Sequence, residues 1–407
     1  MIRSFIKTVA SYFILLCVIF IPFPFNITKI QLAITDFIFG RLIGAVAKNI
    51  FSKSLSNTHV YSDSISMYIL LLLFLILSII ITVVLLQVKK GSQYKERIFA
   101  FIYQLALYYL VLQLLKYGAD KIFKNQFYTP EPNTLFTPLG KIDKDLLYWS
   151  SMGSSYGYNV FLGMLEALAA VFILIKRTRL LGLLLSFGIL LNVIAVNFGF
   201  DISVKLFSLF LLFVNIYLLF PYCNKLYQLF LQPKNIFQPE NLSPVLLKKT
   251  LASYFIQWLA IGIICLEVFY PFINSSNYNG DKALRPYLHG AYQVTNIIEG
   301  NDTLPAAFSP VKRFFVHKDS YIIFQDDQDE MKDYKLQYDK TKSLFILTDY
   351  QLKQTAISFT YQAADSILTL QYFNNGKENK LISKAIDWKS LPLLKKQFHW
   401  TVEGSNQ

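Results

Sequence analysis

The chain has 407 residues, of which 54% are hydrophobic and only 16% are charged, and its mean hydropathy is +0.39. Soluble globular proteins carry charge on about a quarter of their residues, so this composition excludes an ordinary soluble protein. The formal net charge of +13 does not indicate nucleic-acid binding, because no basic nucleic-acid-binding module is recognisable. We therefore expect no nucleic-acid partner.

Seven segments are long and apolar enough to predict membrane spans, since about 20 apolar residues cross about 30 Å of hydrocarbon. Residues 9–24 follow Arg3 and Lys7, but no small-residue cleavage site follows them, so we expect a retained anchor rather than a signal peptide. Residues 30–50 are amphipathic and are expected to lie in the membrane interface. The other spans are predicted at residues 67–88, 98–115, 158–175, 180–198, 204–222 and 251–272.

Basic clusters lie beside the predicted spans, at the ends that face the same side of the membrane. Lys and Arg next to spans are retained in the cytoplasm, so these clusters predict a cytoplasmic N-terminus and an extracytoplasmic C-terminal domain. Lysines 121, 124, 141 and 144 lie on the opposite side. The lack of other targeting signals favours a multi-pass protein of a bacterial inner (cytoplasmic) membrane, whose first partner is the lipid bilayer. The clusters are Arg3 and Lys7; Lys89, Lys90, Lys95 and Arg97; Lys176, Arg177 and Arg179; and Lys225, Lys234, Lys248 and Lys249.

The pattern changes after about residue 274, where long apolar runs give way to short alternating ones. Turn residues separate these runs, among them Asp326-Asp327, Asp339-Lys340 and Asn375-Gly376. About 110 residues suffice for a small antiparallel barrel or sandwich. Strands are predicted at residues 313–324, 334–338, 343–347, 356–361 and 366–373.

The fold class expected is therefore an α-helical polytopic membrane bundle followed by a small all-β domain. We expect four parts. Residues 1–97 hold N-terminal anchor spans and the interfacial segment, and residues 98–222 form a four-helix core. Residues 223–273 are a cytoplasmic loop with the last span, and residues 274–407 are the extracytoplasmic β domain.

Polar residues within spans are the most informative feature, because lipid offers them no partner. Glu166 lies in mid-span among small residues, and Asp201 and Lys205 are four residues apart, so they share a helix face and can pair. One interpretation is that such groups bond across helices and serve packing alone. The other is a polar pocket that opens outward. Its candidate residues are Glu166, Asn192, Asn197, Asp201 and Lys205, with Lys121, Gln126 and Tyr158 at its mouth.

Known catalytic and metal motifs are absent from the sequence. It contains no Gly-rich phosphate loop, nucleophile elbow or His-Glu-x-x-His motif. Cys17, Cys223 and Cys265 form no CxxC pair, and the four histidines show no metal-ligand spacing, so no metal site is expected. Catalytic residues therefore stay unassigned, and the sequence does not decide whether the protein is an enzyme.

Residues 98–222 resemble the DoxX-like membrane proteins. Residues 115–121 read LKYGADK, similar to the family's Gly-x-x-Lys ending of the first core helix. Residues 163–166 read GMLE, similar to its mid-helix Glu among small residues, and residues 176–182 read KRTRLLG, similar to its basic turn. This chain departs from the family by having further spans at both ends and a soluble tail.

The resemblance implies a four-helix membrane core and a link to redox biology, because some relatives accompany thiosulfate:quinone oxidoreductase or oxidative-stress complexes. The first hypothesis is therefore a membrane component of a redox or quinone-linked system. Glu166 would exchange a proton, a quinone would be the candidate ligand, and electrons would come from a redox partner protein.

The second hypothesis is a non-enzymatic binding or assembly protein whose β domain binds a lipid, a peptide or an envelope protein. Residues 288–294 read LHGAYQV and resemble the opening of lipocalin-like barrels. Aromatic residues such as Phe345 and Phe359 would line the interior of such a barrel or fill its core. A cavity inside the barrel would favour this hypothesis. A transporter ranks third, because no internal repeat is evident.

Overall fold

A computed structural model describes residues 2–21, 28–53, 55, 58–87, 92–231, 251–300, 302–339, 341–374 and 377–395. The described helices are α1 Ile2–Phe20, α2 Thr28–Asn49, α3 Ile65–Gln87, α4 Ser92–Ile122, α5 Pro132–Leu135, α6 Lys144–Ser154, α7 Tyr156–Leu174, α8 Arg179–Gly199, α9 Lys205–Leu219, α10 Cys223–Leu231 and α11 Leu251–Ser275. The described strands are β1 Gly290–Glu299, β2 Asp302–Pro305, β3 Arg313–His317, β4 Tyr321–Gln325, β5 Met331–Asp339, β6 Leu344–Thr348, β7 Gln354–Gln362, β8 Ile367–Asn374 and β9 Lys377–Ile386.

The chain divides into two compact units. The helical unit consists of Met1–Gln126 and Gly157–Tyr278, and the barrel unit consists of Phe127–Tyr156 and Asn279–Gln407. The second unit thus contains a segment that the sequence pattern assigns to the helical core. We call this segment, Phe127–Tyr156, the connector, because it joins α4 to α7.

Seven helices in the described part of the chain are long and apolar enough to cross a membrane. Six of them, α3, α4, α7, α8, α9 and α11, coincide with predicted spans. The seventh is α2, which the sequence pattern places in the interface, whereas α1 is a shorter apolar helix over residues 4–20. Length and composition therefore confirm an apolar helical bundle. Whether α1 and α2 cross the membrane has to be judged from their contacts.

Glycines allow the helices of this unit to pack closely. A Cβ atom at Gly163 of α7 would lie 2.5 Å from the carbonyl oxygen of Gly118 in α4. A Cβ atom at Gly182 of α8 would lie 2.6 Å from the backbone nitrogen of Ile173 in α7. Small residues at helix crossings are typical of membrane proteins, in which van der Waals contact rather than hydrophobic burial drives association.

The barrel closes because β1 pairs with β3 on one side and with β9 on the other. Strands β3 to β9 pair each with the next, all antiparallel, so eight strands form the ring. Among the described strands, β2 pairs with the end of β1 alone, for instance Glu299 with Asp302. An eight-stranded barrel has an interior just wide enough for packed side chains or one small ligand.

The observed strands extend and correct those predicted from the sequence. Residues 313–324 were expected as one strand, but they form β3 and β4, which pair from His317 with Tyr321 to Arg313 with Gln325. The predicted strands do not include β1, whose start lies within the sequence LHGAYQV at residues 288–294, nor do they include β2 and β9. The predicted turn Asn375-Gly376 lies outside the described residues, although Asn374 and Lys377 on either side of it pair.

The barrel has an inner and an outer apolar face. Inner residues such as Phe314, Phe345 and Leu368 form the main core. On the outside, Phe315 and Ile323 form a smaller cluster with Phe136 of the connector. The rings of Phe136 and Phe315 stack with their centroids 5.9 Å apart, so the connector covers a patch of the barrel that would otherwise be apolar and exposed.

The crossing of α4 and α7 predicts a position-specific effect of adding one methyl group. We expect Gly163→Ala to lower the free energy of unfolding by about 1–3 kcal/mol, because the added carbon overpacks the contact with Gly118. Gly188→Ala is the control, since nothing lies within 4 Å of a Cβ atom there. Unfolding in detergent, followed by circular dichroism, compares the two variants. Equal stability of the two would contradict the close crossing.

Candidate functional site

The helical unit contains one buried ion pair among the predicted pocket residues. Lys121 Nζ lies 3.0 Å from Glu166 Oε1 and 2.9 Å from Oε2, and the two side chains are 8% and 6% exposed. Lys121 lies in the last turn of α4 and Glu166 is in the middle of α7. The pair therefore lies beside the crossing of Gly118 and Gly163, where the backbones come closest.

The remaining predicted pocket residues do not gather around this pair. Asp201 is 83% exposed on its side chain and pairs with Lys205 at 2.7 Å, as their spacing predicts. Asn192 and Tyr158 are exposed, and Gln126 is half-buried. Asn197 is buried, and its Nδ2 has no hydrogen-bond partner among the described residues. Lys121 and Lys205 therefore pair with different carboxylates, those of Glu166 and Asp201.

Other polar links between helices were not predicted from the sequence. Lys116 of α4 pairs with Glu267 of α11 at 3.2 Å. Asp63 accepts hydrogen bonds from the backbone nitrogens of Lys205 and Leu206 at 3.0 and 2.9 Å, so it caps the start of α9. The Ser11 hydroxyl lies 2.8 Å from that of Tyr217. A single sequence carries no signal for such pairs, because their members are more than 100 residues apart.

The barrel unit contains a cavity of about 480 Å³. Its deeper lining is apolar and aromatic, and includes Leu347, Ile357, Leu370, Tyr334 and Tyr372. Because consecutive strands are antiparallel, the turns between β4 and β5 and between β6 and β7 lie at one end, which we call the distal end. Asp326 and Glu330 of the β4–β5 turn also line the cavity, so it extends to the distal end.

Charged and polar side chains lie where the cavity reaches this end. Gln325, Asp326, Glu330 and Lys332 belong to its lining. A hydrogen bond to Tyr334 raises the pKa of Lys332, so this lysine is cationic at neutral pH. An apolar interior with a few convergent polar groups is the usual composition of a small-molecule site.

Aromatic residues fill the opposite, proximal end of the barrel. The rings of Phe345 and Phe359 stack with their centroids 4.3 Å apart. The ring centroid of Tyr287 lies 5.8 Å from that of Tyr338 and 6.2 Å from that of Phe359. Tyr287 precedes β1, at the end where the chain reaches the barrel. The interior is thus packed proximally and hollow distally.

A buried carboxylate holds the connector to the proximal end. Glu131 is 3% exposed, and its Oε2 lies 2.7 Å from His289 Nε2 and accepts a 3.2 Å hydrogen bond from the backbone nitrogen of Lys318. Burial alone would raise the pKa of Glu131, but the hydrogen bond to His289 and the nearby cations outweigh it and hold that pKa below its usual value. Burial lowers the pKa of His317 beside it.

Further contacts hold the connector where the chain enters the barrel unit. The backbone nitrogen and hydroxyl of Thr129 donate to Asp281 at 2.7 and 2.8 Å. A Cβ atom at Gly153 would lie 2.0 Å from the carbonyl oxygen of Tyr128, so only glycine fits there. The three chain segments that enter this unit therefore lie side by side.

The Lys121–Glu166 pair predicts strongly non-additive stability effects. We expect Glu166→Leu to cost about 3–5 kcal/mol, because it removes the carboxylate that pairs with a buried cation, and the double variant Lys121→Met/Glu166→Leu to regain most of that loss. Lys205→Met, at the exposed pair, is the control and should change stability by less than about 1 kcal/mol. Chemical unfolding in detergent measures all three. A Glu166→Leu protein as stable as wild type would contradict the pairing.

No family model and no solved structure matches the chain. The uncharacterized protein YwoB of Bacillus subtilis (strain 168) is 34% identical to it over 113 residues, which make up 27% of this chain and 70% of YwoB. Its name assigns no activity, and the DoxX-like resemblance stays a prediction. Because the match covers more than two-thirds of that relative, this chain belongs to the family of the uncharacterized Bacillus subtilis protein YwoB.

Proposed function

We propose that this protein is a membrane-anchored binding protein whose barrel holds one small apolar or amphipathic ligand. The cavity of about 480 Å³ carries the proposal, since pockets for small molecules have volumes of about 300–1,000 Å³. The apolar helices of the helical unit supply the anchor, and no catalytic step is needed.

The lining supports an amphipathic ligand rather than a polar one. Leu347, Ile357, Leu370 and Leu381 offer no hydrogen bonds in the depth of the cavity, so a buried polar group of the ligand would lose its hydration without compensation. Lys332 with its neighbouring carboxylates can meet a polar group at the distal end. A ligand with an apolar body and a polar end fits both regions.

The binding proposal predicts that filling the cavity abolishes binding. We expect Ile357→Trp to weaken binding of dansyl-undecanoic acid by about tenfold or more, equal to about 1.4 kcal/mol, because the indole takes the ligand's space. Fluorescence titration of the full-length protein in lipid nanodiscs measures this binding. The probe also partitions into the nanodisc lipid, but to the same extent for every variant, so the difference between variants reports binding to the protein.

Ser358→Trp is the matched control, because Ser358 is the next residue of β7 and is exposed on the outer face. It should bind the probe like wild type. Equal binding by the Ile357→Trp and wild-type proteins, or none by either, would contradict a ligand site inside the barrel.

We further propose that the barrel lies on the extracytoplasmic side. The connector and Asn279–Gln407 form one compact unit, and the four helices α7, α8, α9 and α11 separate them in the chain, so four crossings return the chain to one side. The basic clusters fall on the other side of these crossings, which the positive-inside rule makes cytoplasmic. A bacterial inner membrane is consistent with this arrangement.

The contacts of α2 support an interfacial position for it in this topology. Gln31 Nε2 donates to the carbonyl oxygen of Ile19 at 3.0 Å, near the end of α1. Thr58 Oγ1 donates to Asp36 Oδ1 at 2.6 Å, shortly before α3 begins. Because α2 contacts both the end of α1 and the approach to α3, the chain does not need to cross between them. The 19 residues of α1 extend about 28 Å at 1.5 Å each, which is close to one membrane thickness.

This topology predicts which single cysteines react from outside the cell. In a background without Cys17, Cys223 and Cys265, we expect a membrane-impermeant maleimide to label Lys48→Cys and Lys144→Cys on intact cells. Arg177→Cys should react only after the membrane is permeabilised. All three positions are exposed. Labelling of Arg177→Cys alone would invert the orientation, and a protected Lys48→Cys would make α2 a span.

The DoxX-like resemblance supports a second candidate, a redox or quinone-linked membrane component. Its supporting observation is the buried Lys121–Glu166 pair, since charges within spans are functional by default. Each of these groups is the other's partner, so a quinone would have to compete with the pair. Loss of a bound quinone from a stably folded Lys121→Met/Glu166→Leu protein would favour this candidate over barrel binding.

A further inference from the structure

The connector reaches the wall of the barrel cavity. Gln325 lines the cavity and is completely buried, and its Nε2 donates to the carbonyl oxygen of Phe136 at 3.0 Å. Lys141 pairs with Glu330 at 2.6 Å and also donates to the carbonyl oxygen of Gln328. The connector thus binds the end of β4 and the β4–β5 turn from outside, while the cavity borders the same residues from inside.

A third contact involves Met331, which also lines the cavity. The Thr137 hydroxyl lies 3.9 Å from its Sδ, and Met331 packs with Phe136 and Phe315 in the outer cluster. The guanidinium of Arg313 lies 5.0 Å from the Phe136 ring centroid. The cavity mouth is therefore shaped by a segment that belongs, in sequence, between two membrane helices.

The connector lies close to α4 and α7 in the chain. Only residues 123–126 separate α4 from the connector, and the backbone nitrogens of Asn125 and Gln126 both donate to the carbonyl oxygen of Asp120 at 2.8 and 3.0 Å. Ser155 alone separates α6 from α7. A few residues of backbone therefore connect the connector to the ends of α4 and α7.

We propose that the connector and the barrel cavity are coupled, so that filling the cavity and docking of the connector on the barrel belong to one equilibrium. The inference rests on the proposed binding function and adds its consequence, that a ligand changes the stability of the segment that joins α4 to α7 in the chain. An occupant supports the wall at Gln325, Glu330 and Met331, and this stabilises the docked connector. By linkage, whatever stabilises the docked connector also strengthens ligand binding.

A cavity filled by its own side chain tests the coupling without any ligand. We expect amide hydrogen exchange in the connector to be about fivefold slower or more in Ile357→Trp than in wild type, at the lower end of usual coupling strengths. The experiment uses the full chain in nanodiscs, and Ser358→Trp is the control with wild-type exchange. If β7 becomes protected in Ile357→Trp while the connector exchanges at the wild-type rate, the coupling is wrong.

A second variant tests the same contact from the connector side. We expect Phe136→Ala to speed exchange at residues 326–331 and the release of dansyl-undecanoic acid by about fivefold or more. Lys144→Ala, an exposed change in the same segment, should alter neither. Unchanged exchange at residues 326–331 in Phe136→Ala would overturn the coupling. Failure of wild type to bind the probe would instead overturn the binding function, since exchange is measured without ligand.

Discussion

The contact between Glu131 and the proximal end of the barrel is the interaction on which the arrangement of the barrel unit depends. A buried carboxylate is costly unless it is paired and hydrogen-bonded, and Glu131 is satisfied by His289 and the backbone of Lys318. These partners come from two separate parts of the barrel. The connector is therefore a structural element of the barrel, and the covalent path from α4 to α7 passes through a β domain.

This arrangement constrains the membrane topology. Two distant parts of the chain can share one unit only if the helices between them cross the membrane an even number of times. Lipid offers polar groups no hydrogen-bond partner, so polar groups in the helical unit find their partners in distant parts of the chain. Lys121 with Glu166, Lys116 with Glu267 and Asp63 with the start of α9 each join helices.

The sequence predicted what depends on local pattern. Apolar runs located the long apolar helices, although α1 and α4 begin earlier than predicted and α4 also ends later. Alternation with turn residues located five stretches of the barrel, because both signals lie within one element. The tight turn at residues 318–320 was missed because Lys318, Asp319 and Ser320 interrupt an otherwise strand-like run. The spacing of Asp201 and Lys205 predicted their pair, since both lie within one helical turn.

Long-range pairing was beyond a single sequence. Nothing local distinguishes Glu131 from a solvent-exposed loop carboxylate, and its partners are more than 150 residues away. The aromatic residues of the tail indicated a barrel core. Whether they fill the interior depends on which of them contact one another across the barrel, and the sequence does not show this. Phe345 and Phe359 stack at one end, and the other end stays hollow.

Native mass spectrometry of the intact protein, gently extracted from its own membrane, tests most directly whether the barrel is a binding site. If the barrel is the binding site, we expect one retained apolar or amphipathic molecule per chain in wild type and in Ser358→Trp, and none in Ile357→Trp. A molecule retained equally by all three proteins, or a quinone lost only when Lys121 and Glu166 are replaced, would contradict it and move the functional site into the helical unit.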